Sequence, residues 1–343
     1  MKITNLTQPL VGGLVLWLLT GFCSLHAAEV NVYSARKEAL IKPMLDRFTE
    51  LTGTEVNLVT GKADALIKRL ELEGVNSPAD LLLTVDVGRL HRATQLDLFS
   101  SIESDLLASV IPARYRDPEG NWYGLSLRSR VIVYSLADVQ PQQLSSYEAL
   151  ADAEWKGKVC VRSSSNIYNQ SLVSAMIAHD GEEKTESWAK GLVANFARPP
   201  KGGDRDQIKA VAVGQCSLAV VNSYYLAGMI NSKISAESGA AAKVGLFWPN
   251  QQGRGAHVNI SGAGVTRSSK NKEEAIKLLE FLAGEEAQAW YAEHNHEFPV
   301  RAGVPVSETL RQWGEFKADQ LELSKLGIHN ASAVRLMDRA GWQ

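Results

Sequence analysis

Tyr123-Gly-Leu-Ser-Leu-Arg-Ser-Arg-Val-Ile-Val-Tyr-Ser135 is a long alternating stretch that reads as a single extended segment. A strand–helix rhythm runs on both sides of it. Upstream, Glu29 to Tyr33 is a β-rich run, and Leu40, Ile41, Met44, Leu45 and Phe48 form one face of a helix. Glu55 to Val59 reads as a strand and Ala63 to Glu73 as a helix carrying Leu66, Ile67 and Leu70. Asp80 to Thr84 reads as a fully buried strand. Downstream, strands are expected near Lys158 to Arg162 and Ser217 to Asn222, with helices over 171–179, 183–196 and 206–213. Strands alternating with helices of this length indicate mostly parallel sheets with covered faces. The stretch from Tyr123 is therefore read as a crossover between two lobes.

Extended segments at 244–249 and 256–266, then helices at 272–282 and 287–293, suggest that the chain returns to the first lobe. The expected division is 29–127 with 252–302 in the first lobe, and 128–251 with 303–343 in the second. Length supports two lobes: a mature chain of about 315 residues is more than one core usually organises. Two lobes imply a cleft, and in open α/β sheets ligands sit beyond the carboxyl ends of the strands.

The chain is 343 residues long. Residues 1–28 read as a secretory signal peptide: Lys2, an apolar run from Leu10 to Leu19, and His26-Ala27-Ala28 before Glu29. The apolar run is too short to span a bilayer, which takes about 20 residues as a helix. Cys23 follows the bulky Phe22, which disfavours a lipid anchor. Removing Lys2 takes the formal charge from −2 to −3, without the basic excess of a nucleic-acid binder. Cys160 and Cys216 remain, each in a short apolar run that reads as one of two neighbouring strands. In an oxidising compartment they are predicted to form a disulfide.

The chemistry concentrates at strand ends. Asn222-Ser223-Tyr224-Tyr225 follows the apolar strand Leu218 to Val221, and Tyr168 follows the strand at 159–162 through the polar turn Ser163 to Asn166. If those strands are neighbours, three phenols converge on one lobe edge. An arbitrary tyrosine is most often an amphipathic packing residue. Convergence argues for more, because phenolate is a hard anionic donor suited to Fe³⁺. Three phenolates offset the +3 charge and leave positions for a small anion such as carbonate. Arg128 and Arg130 at the crossover could hold that anion, and Arg36 is a weaker candidate for the same role. Ordinary salt bridging is the competing role for these arginines.

These residues resemble the periplasmic ferric-iron-binding protein family, with its type II periplasmic binding fold. The resemblance runs over the mature chain. Its carriers are 32–36 (Val-Tyr-Ser-Ala-Arg), 80–86 (Asp-Leu-Leu-Leu-Thr-Val-Asp), 125–132, and the tyrosine set Tyr168, Tyr224 and Tyr225. It implies two lobes joined by a β hinge and ferric iron in the cleft on Tyr168, Tyr224 and Tyr225, with Arg128 near a carbonate-like anion. It also implies a periplasmic monomer that delivers its cargo to an ABC permease with its ATPase. One departure lies in the first loop, where many members carry histidine: here Lys37 and Glu38 stand. Glu38 and Asp86 are minor candidates for oxygen ligation, Asp86 also being a natural helix cap, and Tyr33 is a candidate for the outer shell of the site. His294 and His296 read as surface or helix-end residues. A metal-free small anion, or another small solute, is the rival cargo. Catalysis is disfavoured, since no Gly-x-Ser-x-Gly elbow accompanies Ser163-Ser164-Ser165, and no P-loop marks an ATPase.

Overall fold

Among the described residues, eight strands carry the fold: β1 (Glu29–Ser34), β2 (Glu55–Thr60), β3 (Leu81–Val85), β4 (Tyr123–Ser135), β5 (Val159–Cys160), β6 (Leu218–Asn222), β7 (Val244–Phe247) and β8 (Val258–Val265). The computed structural model describes Met1 and residues 28–343, so the signal-peptide reading and Cys23 lie outside the described residues. The strand order is β2-β1-β3-β8-β4-β6-β5, with β7 also on β4. β1 pairs in parallel with β2 and β3, and β5 with β6. The pairs made by β4 and β8 are antiparallel, so parallel pairing is confined to the strands away from the crossover.

β4 is the crossover that its alternating pattern predicts. Its first part pairs with β8 as far as Ser129↔Val258, and from Arg130↔Asn222 onward it pairs with β6. The change of partner thus falls between Ser129 and Arg130. Close approach of β8 to β4 depends on glycine: a Cβ at Gly262 would stand 2.6 Å from the Tyr123 carbonyl oxygen. β4 also shifts register at that level, between Gly124 and Ser126.

Apolar side chains collect on either side of this strand. One core holds Val30, Leu45, Phe48, Leu66, Leu70, Leu81 to Leu83, Ile260, Leu278 and Leu279. Leu81, Leu82 and Leu83 are wholly buried, as a strand covered on both faces requires. Each such leucine contributes about 1.5–3 kcal/mol through burial. Beyond the crossover, one core gathers around Ile132, Trp155, Leu172, Val220 and Trp188, and another around Val131, Ile208, Val221 and Met229. The tail 303–343, expected in the second lobe, packs in both: Leu323 and Leu326 join the first core, whereas Ala333, Leu336 and Met337 of helix Asn330–Arg339 join the second.

Cys160 on β5 and Cys216 just before β6 are disulfide-bonded, with Cα atoms 5.9 Å apart. This follows from the parallel pairing of β5 and β6. Closing a loop of about 55 residues stabilises by roughly 4 kcal/mol in the chain-entropy model. No described helix is long and apolar enough to cross a membrane.

Candidate functional site

Tyr168 is not on a loop but in the first turn of helix Ile167–Asp180. The turn before it is braced locally: Asn166 N donates to Ser163 O (3.1 Å), and Asn169 Nδ2 donates to Arg162 O (2.9 Å). Tyr224 and Tyr225 open helix Ser223–Ile230, which starts directly after β6. The neighbouring strands therefore present both helix starts at one edge. Tyr224 Oη donates to Tyr168 Oη at 3.3 Å, and the Tyr224 and Tyr225 rings lie 4.4 Å apart. All three predicted tyrosines are thus brought together. Among the described residues, no group of three or more His, Cys, Asp or Glu side chains gathers to hold a metal.

Arg130 explains why the two helix starts meet. It is buried, and its Nη1 donates to Asp204 Oδ1 (2.8 Å) and Asn222 Oδ1 (3.3 Å). Its Nη2 donates to Asn169 Oδ1 (2.6 Å) and Val220 O (3.1 Å). One guanidinium therefore ties the Tyr168 turn, through Asn169, to the start of the Tyr224 helix, through Asn222. Asn222 Nδ2 in turn donates to Tyr224 Oη (3.4 Å), and Asp204 also pairs with Arg162, whose guanidinium lies 5.7 Å from the Tyr168 ring centre. Four hydrogen bonds leave Arg130 only its Nε without a partner, so its first role is to brace the site.

Arg128 differs. It is equally buried, yet its Nε and Nη1 have no protein partner, while Nη2 reaches Ser261 Oγ and, at 3.3 Å, Glu297 Oε1. Arg128, Arg130, Tyr168 and Asn222 line one small gap with Asp86, His257 and Asn259. Asp86 Oδ2 and Asn259 Nδ2 in that wall are also buried without partners. Unpaired buried polar atoms are costly, and their convergence marks a place for a polar ligand. Asp86, at φ 78°, caps helix Val87–Gln95 by accepting from Gly88 N (3.0 Å). It also accepts from Ser171 Oγ at 2.7 Å, a bond between the two lobes.

The remaining predicted residues divide. Arg36 lies at the cleft but is engaged: its Nη2 donates to Glu297 Oε2 (2.6 Å) and Ser126 Oγ (2.7 Å). Tyr33 points elsewhere, its hydroxyl on Glu73 (3.1 Å) and its ring under Arg69. Glu38 is exposed on the short helix Glu38–Leu40. His294 is exposed and stacks on Trp290, and His296 ends its helix in the left-handed conformation. Glu297, His257 and Asn259 were missed by sequence reasoning. None of the three has a local signal: Asn259 reaches the site through its place opposite Arg128 in the β4–β8 register.

Electrostatics favours the neutral phenol at Tyr224 and Tyr225. Burial, and then the neighbouring Tyr168 and Tyr225, push Tyr224 well above its ordinary value, against the pull of Arg128. Burial and Tyr168 push Tyr225 up as well. Burial raises the Asp86 carboxyl, and the same effect, with Arg130 and Arg254 nearby, holds His257 down to about 3. Burial works to raise Glu297, but Arg36 and Arg128 outweigh it and hold the carboxyl below its usual range.

Two α/β lobes joined through a shared strand, with a polar cleft at the strand ends, define a type II periplasmic binding protein. The comparisons agree. The model of the bacterial extracellular solute-binding protein family matches residues 76–318. Iron uptake protein A1 of Synechocystis sp. is 48% identical over 92% of this chain and 88% of its own. The Fe(3+)-binding periplasmic protein of Serratia marcescens is 32% identical over 91% of this chain and 90% of its own. A Trichodesmium protein solved in complex with iron and citrate superposes with a TM-score of 0.90 at 51% identity, covering 92% of this chain and all of that one. The chain belongs to the bacterial extracellular solute-binding protein family, in its periplasmic ferric-iron-binding branch.

Proposed function

We propose that the protein captures ferric iron in the interlobe cleft, with Tyr168, Tyr224 and Tyr225 as phenolate ligands and a small oxyanion such as carbonate held by Arg128. The observation that carries this reading is the meeting of the Tyr168 and Tyr224 hydroxyls at 3.3 Å beside a buried guanidinium with two unpartnered nitrogens. Phenolates supply hard, anionic oxygen to a small, highly charged ion. The guanidinium supplies hydrogen bonds and charge to the anion that completes the shell. Relatives named for ferric iron and for the periplasm support the cargo and the compartment. The protein acts as a binding subunit rather than an enzyme, and hands iron to an ABC permease and its ATPase.

Iron and anion load first on the tyrosine lobe, and closure then brings first-lobe groups, Asp86 among them, over the site. The hinge is the change of partner in β4 together with the return segment around 249–251. The Asp86–Ser171 bond belongs to the closed arrangement. Arg128's unpartnered nitrogens also support a second reading, a metal-free anion as sole cargo.

Visible absorption separates the two readings. Titrating iron-stripped protein with a weak ferric chelate in bicarbonate buffer should give a tyrosinate-to-iron charge-transfer band that saturates at about one equivalent by the proposed one-site stoichiometry. Tyr224→Phe and Tyr225→Phe should weaken or abolish it. No band, with anion binding detected by calorimetry, would establish the metal-free reading instead.

A further inference from the structure

Glu297 is a buried carboxylate that the proposed iron site does not use. It sits between two arginines, accepting from Arg36 Nη2 at 2.6 Å and from Arg128 Nη2 at 3.3 Å. Ser126 Oγ donates to it at 2.9 Å. All three charged side chains are at least 94 % buried, so water screens them little. The next residue, Phe298, bridges Leu127 by mutual backbone hydrogen bonds, which fixes the Glu297 backbone beside β4.

The triad carries two positive charges and one negative, a surplus of one. That surplus reaches the site through Arg128, which lines the gap that Tyr168 also lines and whose Nε and Nη1 have no protein partner. Ferric iron on three phenolates is neutral, so this surplus adds to the charge presented to the exogenous anion, while the contribution of Arg130, Arg162 and Asp204 is common to every variant below. We propose that Glu297 sets the anion selectivity of the site by holding this surplus at one, which favours a small oxyanion of low charge, bicarbonate or carbonate, over a more highly charged carboxylate such as citrate. The inference rests on the ferric reading above. Glu297 is a positioning residue, since it acts through Arg36 and Arg128. It stays ionised because the two guanidiniums outweigh its burial. Specificity of this kind comes from a repulsive element as much as from an attractive one. Asp86, in the opposite wall, is common to every variant below and cancels in ratios.

The test compares apparent ferric affinity in citrate with that in bicarbonate, read from the visible band, for the full-length mature protein. Glu297→Gln raises the surplus to two and should move the ratio toward citrate by about tenfold or more. Arg36→Gln lowers the surplus to zero and should move it the other way. Glu297→Asp keeps the charge and should stay within about threefold of wild type by the same electrostatic argument. Opposite shifts in the first two variants are a signature that loss of packing does not produce. Equal ratios in wild type, Glu297→Gln and Arg36→Gln, all with cooperative melting, would overturn the proposal. If the wild type shows no iron band, the ferric reading fails by itself, and the same ratio measured by calorimetry without metal still decides the charge claim.

Discussion

Iron binding by half-buried phenols makes a steep prediction for pH. Phenols carry their protons at neutral pH, and burial pushes Tyr224 and Tyr225 further from ionisation. Each tyrosine that binds as phenolate must release its proton, so affinity rises with pH. One released proton changes the apparent constant tenfold per pH unit, about 1.4 kcal/mol. Three tyrosines imply about a thousandfold per unit, roughly 4 kcal/mol, between pH 6 and 8. The assay is competition against a chelator whose ferric affinity is known at each pH, followed by absorbance, with a pH-stat counting protons released per iron. Tyr225→Phe should lower the slope by one proton. A wild-type slope below two protons, or a slope unchanged by Tyr225→Phe, would refute phenolate ligation by this set.

Further expectations follow from the same contacts. Arg130→Ala removes the brace from the buried Asp204, Asn222 and Asn169, and should cost about 3–5 kcal/mol in denaturant unfolding while disordering both tyrosine helix starts. His257 is held down to about 3, below an unfolded value near 6.5, so the unfolded chain takes up the extra proton. Its contribution is therefore intact above pH 6.5 and falls as pH drops toward 3. At pH 4.5 the loss is about 2–3 kcal/mol, and His257→Gln should flatten the melting curve against pH by that amount. Ser171→Ala deletes the interlobe bond to Asp86 and should shift the lobes toward open by about 1–3 kcal/mol, seen as a larger radius of gyration in solution scattering.

Much of the architecture was legible because local patterns and tertiary burial agree. The helices Ala63–Glu73 and Lys272–Leu282 span the stretches expected for them, since Leu66, Ile67, Leu70 and Leu278, Leu279, Leu282 set one face each. β5 is shorter than its apolar run suggests, because at Arg162 the chain turns and the side chain goes to Asp204. The C-terminal helix Asn330–Arg339 was not among the expected elements, although Ala333, Leu336, Met337 and Ala340 carry a helical spacing. The tyrosine cluster was legible since β5 and β6 are neighbours and each leads into a tyrosine-bearing helix start. Glu297 was not, because its partners lie 169 and 261 residues away and one acid before Phe-Pro carries no local signal. Tyr33 shows the limit of proximity in sequence: immediately before Ser34-Ala35-Arg36, its hydroxyl turns to Glu73 instead of the cleft.

The most direct test of the central claim is a crystal structure of the iron-loaded protein, with anomalous diffraction recorded across the iron absorption edge. The account predicts one iron peak within bonding distance of the hydroxyl oxygens of Tyr168, Tyr224 and Tyr225, and an oxyanion between that peak and Arg128. An iron peak away from these phenols, or density at Arg128 with no iron beside it, would contradict it.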